Sequence, residues 1–192
     1  DTVADHVITR YFSHPSYWQI DGSPYFSIYD LPAFVTGLGG IVQAREALAA
    51  FRAKTQAAGF ADLHLNVVLW NHGILAGEQN IPNADALAHD LGFTSVTSYV
   101  WIHHGALDQF PITDYNVVRD RYVRYWEKAD ATFTLPYYPN VTMGWDSSPR
   151  TVQSDAFINA RYPFMPVIGE NTPDRFHKAL ALVRDRLKTK PT

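Results

Sequence analysis

LHLNVVLW, residues Leu63 to Trp70, is a short run of branched aliphatic and aromatic side chains that stops at Asn71. Runs of this kind read as buried strands. Before it, Gly40 to Ala58 places Ile41, Ala44, Leu48 and Phe51 on one stripe with the helical period, and after it Ala84 to Leu91 repeats that pattern over a shorter span. Working outward, the same alternation continues. Pro24 to Tyr29 (PYFSIY) follows the turn Asp21-Gly22 and stops at Asp30, and Thr94 to Trp101 (TSVTSYVW) leads to His103 and His104. Asn140 to Trp145 (NVTMGW) ends at Asp146, while Met165 to Ile168 is a short, proline-bounded and weak strand signal. Two more helical patterns lie between and after these. Asp114 to Ala131 groups Val118, Tyr122 and Tyr125, and Thr172-Pro173-Asp174 supplies an N-cap, a first-turn proline and a first-turn acid for a helix bearing Phe176, Leu180, Val183 and Leu187.

Strand followed by helix, four times over, with connections too long for hairpins, implies parallel strands joined by right-handed crossovers. The expected fold class is therefore α/β. A closed eight-stranded barrel takes roughly 250 residues. The 192 residues here suit either a small doubly wound sheet or part of a barrel. No internal repeat, low-complexity tract or linker interrupts the chain, so a single domain over residues 1–192, or a piece of one, is expected. The chain does not begin with Met and starts on a helix-like segment, which fits a start inside a larger protein.

Composition narrows the function classes. Apolar residues make up 46% and charged residues 18%, as in a globular domain, and the formal charge is −3. That balance offers no basic footprint for nucleic acid. No stretch approaches the roughly 18 uninterrupted apolar residues of a membrane span. With no cysteine, disulfides and thiolate metal sites are excluded, and the compartment stays open. Aromatic residues reach 14% of the chain and collect where strands are expected to end.

In parallel α/β folds the carboxyl ends of the strands converge on one functional face. Those ends offer Tyr29, Asp30, Trp70, Asn71, His72, Tyr99, Trp101, His103, His104, Trp145, Asp146 and Arg150. Rings beside carboxylates, amides and a guanidinium suit a neutral polyhydroxylated ligand, because sugar C–H faces stack on rings while hydroxyls need planar donors and acceptors. A carbohydrate partner is the expectation, with Tyr29, Asp30, Trp70, Asn71, Tyr99, Trp101, Trp145 and Arg150 as binding residues. Glycosyl transfer needs two flanking carboxyl groups. Only Asp30 and Asp146 stand at strand ends, with Glu78, Asp108 and Glu170 in following loops, so no complete pair is visible.

Other chemistries fit less well. Gly37-Leu38-Gly39-Gly40 opens a helix but puts Val42 where a dinucleotide fingerprint needs glycine, and no phosphate-binding GK[ST] occurs. There is no HExxH, and adjacent His103 and His104 would face opposite ways on an extended chain, so no metal and no cofactor is expected. Asn140-Val141-Thr142 matches a glycosylation acceptor but falls in an expected strand.

Two segments are more specific. SHPSYWQIDGSPYFSIYD, Ser13 to Asp30, and PNVTMGWDSSPR, Pro139 to Arg150, resemble in spacing and order two segments of the glycoside hydrolase family 99-like proteins, which include WbsX-type glycosyltransferases of polysaccharide clusters. Glu170-Asn171-Thr172-Pro173 followed by Phe176 is similar to a helix start that comes later in that family. Ser147-Ser148 replace the usual Asn-Thr pair, and Ser23 stands where Lys is common. The resemblance implies a partial (β/α)8 TIM-type barrel, about strands 4 to 7 with their helices, with the missing barrel segments supplying glutamates for acid and base work. It implies a carbohydrate-active enzyme acting on glycosidic bonds, by hydrolysis or by transfer in bacterial polysaccharide metabolism. Tyr29, Trp145, Asp146 and Arg150 are the motif residues carried over. A carboxylate at a strand end beside a guanidinium fork keeps its charge and its rotamer, so Asp146 is expected as the catalytic-site carboxylate that orients substrate, with Arg150 within reach; an Asp146 that caps the loop and pairs with Arg150 for structure alone is the other reading. A non-catalytic glycan-binding module on a degenerate barrel is the alternative.

Overall fold

The computed structural model describes residues 2–70, 81–152 and 156–190. The chain is mixed α/β and its backbone divides into two compact units. Of the described residues, the first unit takes 2–69, 81–97 and 134–136, and the second takes 70, 98–133 and the residues from 137 onward.

In the first unit a short helix, α1 (Thr2–Val7), runs into a π-helical turn, Ile8–Phe12. A tight hairpin follows, in which β1 (Gln19–Ile20) pairs antiparallel with β2 (Ser23–Ile28). Its two central residues, Asp21 and Gly22, both have positive φ (49° and 75°), the geometry for which Asp-Gly is suited. The chain then forms α2 (Leu31–Gly37), α3 (Ile41–Ala57), β3 (His64–Val68), α4 (Ala84–Asp90) and β4 (Ser95–Thr97). Strands β2, β3 and β4 are adjacent, parallel and in chain order, with Ser27 opposite Asn66 and Asn66 opposite Ser95. This matches the expected order for these three strands.

Alternation along the strands separates two faces. Phe26 meets Phe51 of α3 edge-on at 5.1 Å, and Phe51 in turn stacks on Phe12 at 5.9 Å. Ala44, Leu48, Leu65, Val67, Leu91 and Val96 complete this buried apolar layer. The other face is polar. Ser27 Oγ donates to Asn66 Oδ1 (2.9 Å), Asn66 Nδ2 donates to Ser95 Oγ (2.8 Å), and that hydroxyl also bonds His64 Nε2 (2.8 Å). Arg52 ties α3 to the loops around it, donating to the Leu63 and Gly92 carbonyls (both 2.9 Å) and pairing with Asp62.

The second unit holds a 3₁₀ turn at Trp101–His103, β5 (Ile112–Asp114), α5 (Tyr115–Thr132), β6 (Tyr137–Tyr138), a 3₁₀ turn at Ser148–Arg150, β7 (Val167–Gly169) and α6 (Pro173–Thr189). Strands β5 and β7 pair parallel. Asp114 caps α5 through Asn116 N (2.8 Å), and Thr172 caps α6 through Arg175 N (3.4 Å), as its Thr-Pro-Asp start leads one to expect. Val118 and Tyr122 of the α5 stripe are buried, whereas Leu180 and Leu187 of the α6 stripe are exposed.

Three strand expectations change here. Thr94 to Trp101 is a strand only to Thr97; Trp101 turns away into a 3₁₀ turn and buries its ring. Asn140 to Trp145 is not a strand, because side chains replace the neighbouring strand as backbone partners. Asn140 N donates to Tyr122 Oη (3.1 Å), Thr142 O accepts from Tyr115 Oη (2.8 Å), and Met143 O accepts from Asn171 Nδ2 (3.0 Å). Only Trp145 makes a bridge, to Ile168. The weak Met165–Ile168 signal, by contrast, marks the true strand β7. Helix α2 and strands β1, β5 and β6 were not expected from the pattern.

Candidate functional site

The expected site residues fall in both units. Tyr29 and Asp30 lie in the first, just past β2. Tyr29 is exposed. Asp30 serves its own backbone, since its Oδ1 accepts the Ala33 N–H (2.9 Å) as the N-cap of α2, whose first turn contains Pro32. A carboxylate held this way orients a helix start first.

The remaining described candidates belong to the second unit. Trp70 and Tyr99 flank His103: the Trp70 ring stacks on His103 at 5.8 Å and the Tyr99 ring lies tilted against it at 5.9 Å. His103 itself is fully buried, while Tyr99 is 39% exposed and Trp70 half-buried. Two partly exposed rings are thus braced by a buried third. His104 turns toward a different set, stacking on Tyr125 at 4.0 Å.

Trp101 is not part of that surface. It is 1% exposed and packs between Tyr115 (4.9 Å) and Tyr122 (5.6 Å), with Nε1 donating to Asn140 O (3.3 Å). Its expected role as a binding ring is corrected to a core role, since the strand that would have presented it ends four residues earlier. Asn71, with His72 and Glu78, lies outside the described residues.

At the Trp-Asp segment, a Cβ on Gly144 would come within 2.6 Å of Asn171 Nδ2, so a side chain there would displace the amide that holds the Met143 carbonyl. The next residue, Trp145, is half-buried with its Nε1 buried and unpartnered. Asp146 is exposed and its Oδ1 accepts the Ser148 N–H (2.8 Å), closing an Asx-type turn into the 3₁₀ segment. The expected Asp146–Arg150 pair is not formed; Arg150 is exposed and Asp146 bonds its own turn instead. Four residues of sequence separation suggested a pair, but the intervening Ser-Ser-Pro turn is satisfied by the carboxylate alone.

Of the loop acids, Asp108 has its carboxylate engaged, and Glu170 contributes its backbone. Asp108 pairs with Arg121 (2.6 Å), whose hydrogen bond holds its carboxyl below the usual carboxylate range. Glu170 adopts positive φ (57°), and its carbonyl accepts from Arg175. Among the described residues no three His, Asp or Glu side chains gather to hold a metal ion, and no helix is long and apolar enough to cross a membrane.

The pattern missed a buried hydroxyl chain that starts at Ser98, the residue before Tyr99. Ser98 Oγ shares a 2.6 Å hydrogen bond with Tyr137 Oη, which shares one of 2.7 Å with Tyr122 Oη. Burial raises the pKa of both Tyr122 and Tyr137, and pushes Tyr115 up to about 12, so these groups stay neutral at ordinary pH. Tyr122 was read from the sequence only as part of the helix stripe, and nothing local marked Ser98 or Tyr137 as its partners. No family model, no curated protein and no solved structure matches this chain.

Proposed function

We propose that this chain is carbohydrate-active, acting on the glycosidic bonds of a polysaccharide or glycan in the manner of the glycoside hydrolase family 99-like proteins its motifs resemble. One observation carries the reading: Trp70, half-buried, and Tyr99, 39% exposed, are two rings braced on buried His103. Braced rings keep their orientation without a ligand, so a sugar can stack on them at little entropic cost. The chain-ordered parallel strands β2, β3 and β4 support the partial (β/α)8 barrel, about strands 4 to 7, as the scaffold. Within it Asp146 is an exposed, turn-fixed carboxylate that accepts hydrogen bonds from sugar hydroxyls.

A second reading, a glycan-binding module without catalysis, is favoured by the acids themselves. Asp30 caps a helix, Asp108 holds an arginine and Asp146 closes a turn. Calorimetric titration with neutral polysaccharides of different backbone (dextran, mannan, galactan, xylan), followed by reducing-end assay, separates the cases. Binding with release of reducing ends supports the hydrolase, and binding alone supports the module or a transferase. Absence of binding to any member rejects the carbohydrate reading. Asp146→Asn keeps an acceptor for the Ser148 N–H, so weaker binding at an unchanged melting temperature assigns the carboxylate to the ligand. A lower melting temperature with unchanged binding assigns it to the turn alone.

A further inference from the structure

We propose that Asn140 is the positioning residue of the ring surface: the buried hydroxyl chain ends on its backbone, and its side chain holds Tyr99 in place to meet a sugar. This inference rests on the carbohydrate reading for its function but not for its geometry.

The residues around Tyr99 are pinned one by one. Ser98, on its N-terminal side, is buried and bonded to Tyr137 Oη. The Tyr99 carbonyl accepts from Asn140 Nδ2 at 2.6 Å. The same Nδ2 donates to Thr142 Oγ1 (3.1 Å), which accepts the Trp101 backbone N–H (3.2 Å). Asn140 is in turn anchored by its own N–H on Tyr122 Oη, the inner end of the Ser98–Tyr137–Tyr122 chain. Residues 98, 99 and 101 are therefore tied to one network, two of them through a single carboxamide.

A carboxamide nitrogen has two hydrogens, and here both are committed. Two consequences follow from that count. Asn140-Val141-Thr142, although a glycosylation acceptor by pattern, spends its acceptor nitrogen and its threonine hydroxyl on internal bonds. Aspartate, nearly isosteric but an acceptor only when ionised, cannot replace it, because it would set a carboxylate against the Tyr99 carbonyl. The tyrosine hydroxyls stay protonated through burial, so the support keeps its form across the ordinary pH range.

The test is ¹⁹F NMR of the 3-fluorotyrosine-labelled chain, the Tyr99 signal being assigned with Tyr99→Phe, alongside titration with whichever polysaccharide of the panel binds. In Asn140→Asp the Tyr99 signal is expected to shift and broaden while the Tyr29 signal stays in place, and affinity is expected to fall roughly tenfold. Asn140→Ser, which keeps the backbone bond to Tyr122, should do the same and serves if the aspartate variant fails to fold. Tyr137→Phe, which cuts the chain at its middle, should move the Tyr99 signal less. An unchanged Tyr99 signal in a folded Asn140 variant overturns the inference. So does a moved signal with undiminished affinity. If the unaltered chain binds no polysaccharide, the carbohydrate reading falls, and the Tyr99 signal still decides whether Asn140 places the ring.

Discussion

In the first unit, Tyr25 to Ile28 lie opposite His64 to Val67 residue by residue, and the backbone groups of one strand satisfy those of the next. In the second, Asn140 to Met143 has an equally strand-like sequence, yet its backbone is met by the Tyr122 and Tyr115 hydroxyls and the Asn171 amide. A ladder repeats, so it tolerates changes of side chain on its solvent face. A set of side-chain partners does not repeat, and each member is needed where it stands. The second unit should accordingly be the more sensitive to single substitutions, and its loops the more sharply fixed.

The largest effect is expected at the ring core of the second unit. Trp101→Ala removes a fully buried ring from between Tyr115 and Tyr122, and should cost about 3–5 kcal/mol in urea denaturation. A loss below about 1 kcal/mol would mean that the second unit is not organised around this ring. Next, Tyr122→Phe leaves the Asn140 N–H and one Tyr137 bond without a partner, at about 1–3 kcal/mol. Its counterpart in the first unit, Ser27→Ala, takes one donor from the buried Asn66 Oδ1 but leaves the β2–β3 ladder whole, and should cost about 1 kcal/mol. Equal losses from these two would erase the contrast between the units.

Acid should act on the first unit before the second. Burial, reinforced by Arg52 and opposed by Asp62, lowers the pKa of His64 below its ordinary 6.5. The unfolded chain then takes up the proton more readily than the folded one. Stability from this group is complete above pH 6.5 and declines as the pH falls below that value. His64→Gln should flatten the decline in a pH series of melting temperatures; an unaltered slope would assign it to other groups. The smallest effect is expected at the Arg186–Asp130–Lys190 cluster joining α5 and α6, where hydrogen bonding from Arg186 holds the Asp130 carboxyl below the usual range. Being partly exposed, it should contribute about 0–1 kcal/mol, and Asp130→Asn should matter less in high salt.

How far the sequence could be read follows the same division. Helices α3, α4, α5 and α6 were legible because apolar spacing and caps such as Thr172 are local signals. The order β2-β3-β4 was legible because branched runs separated by helices leave few topologies. Asn140 to Trp145 misled because its branched and aromatic residues suit an extended backbone, and nothing local says whether a strand or a tyrosine will meet it. Trp101 was misplaced with the end of its strand. Trp70 and Tyr99 stand together on His103, a proximity that no spacing rule conveys. Asp146 and Arg150 show the reverse: close in sequence, they do not pair, because a turn uses the carboxylate first.

The central claim is that Trp70 and Tyr99 form a braced surface for a sugar. Calorimetric titration of the chain, and of Trp70→Ala and Tyr99→Ala, with the neutral polysaccharides tests it most directly. The expected result is binding by the unaltered chain that weakens roughly tenfold in each variant, the ~1.4 kcal/mol of one well-made contact, while both variants remain folded at the titration temperature. Binding that is unchanged in both folded variants, or absent from the unaltered chain, would contradict it.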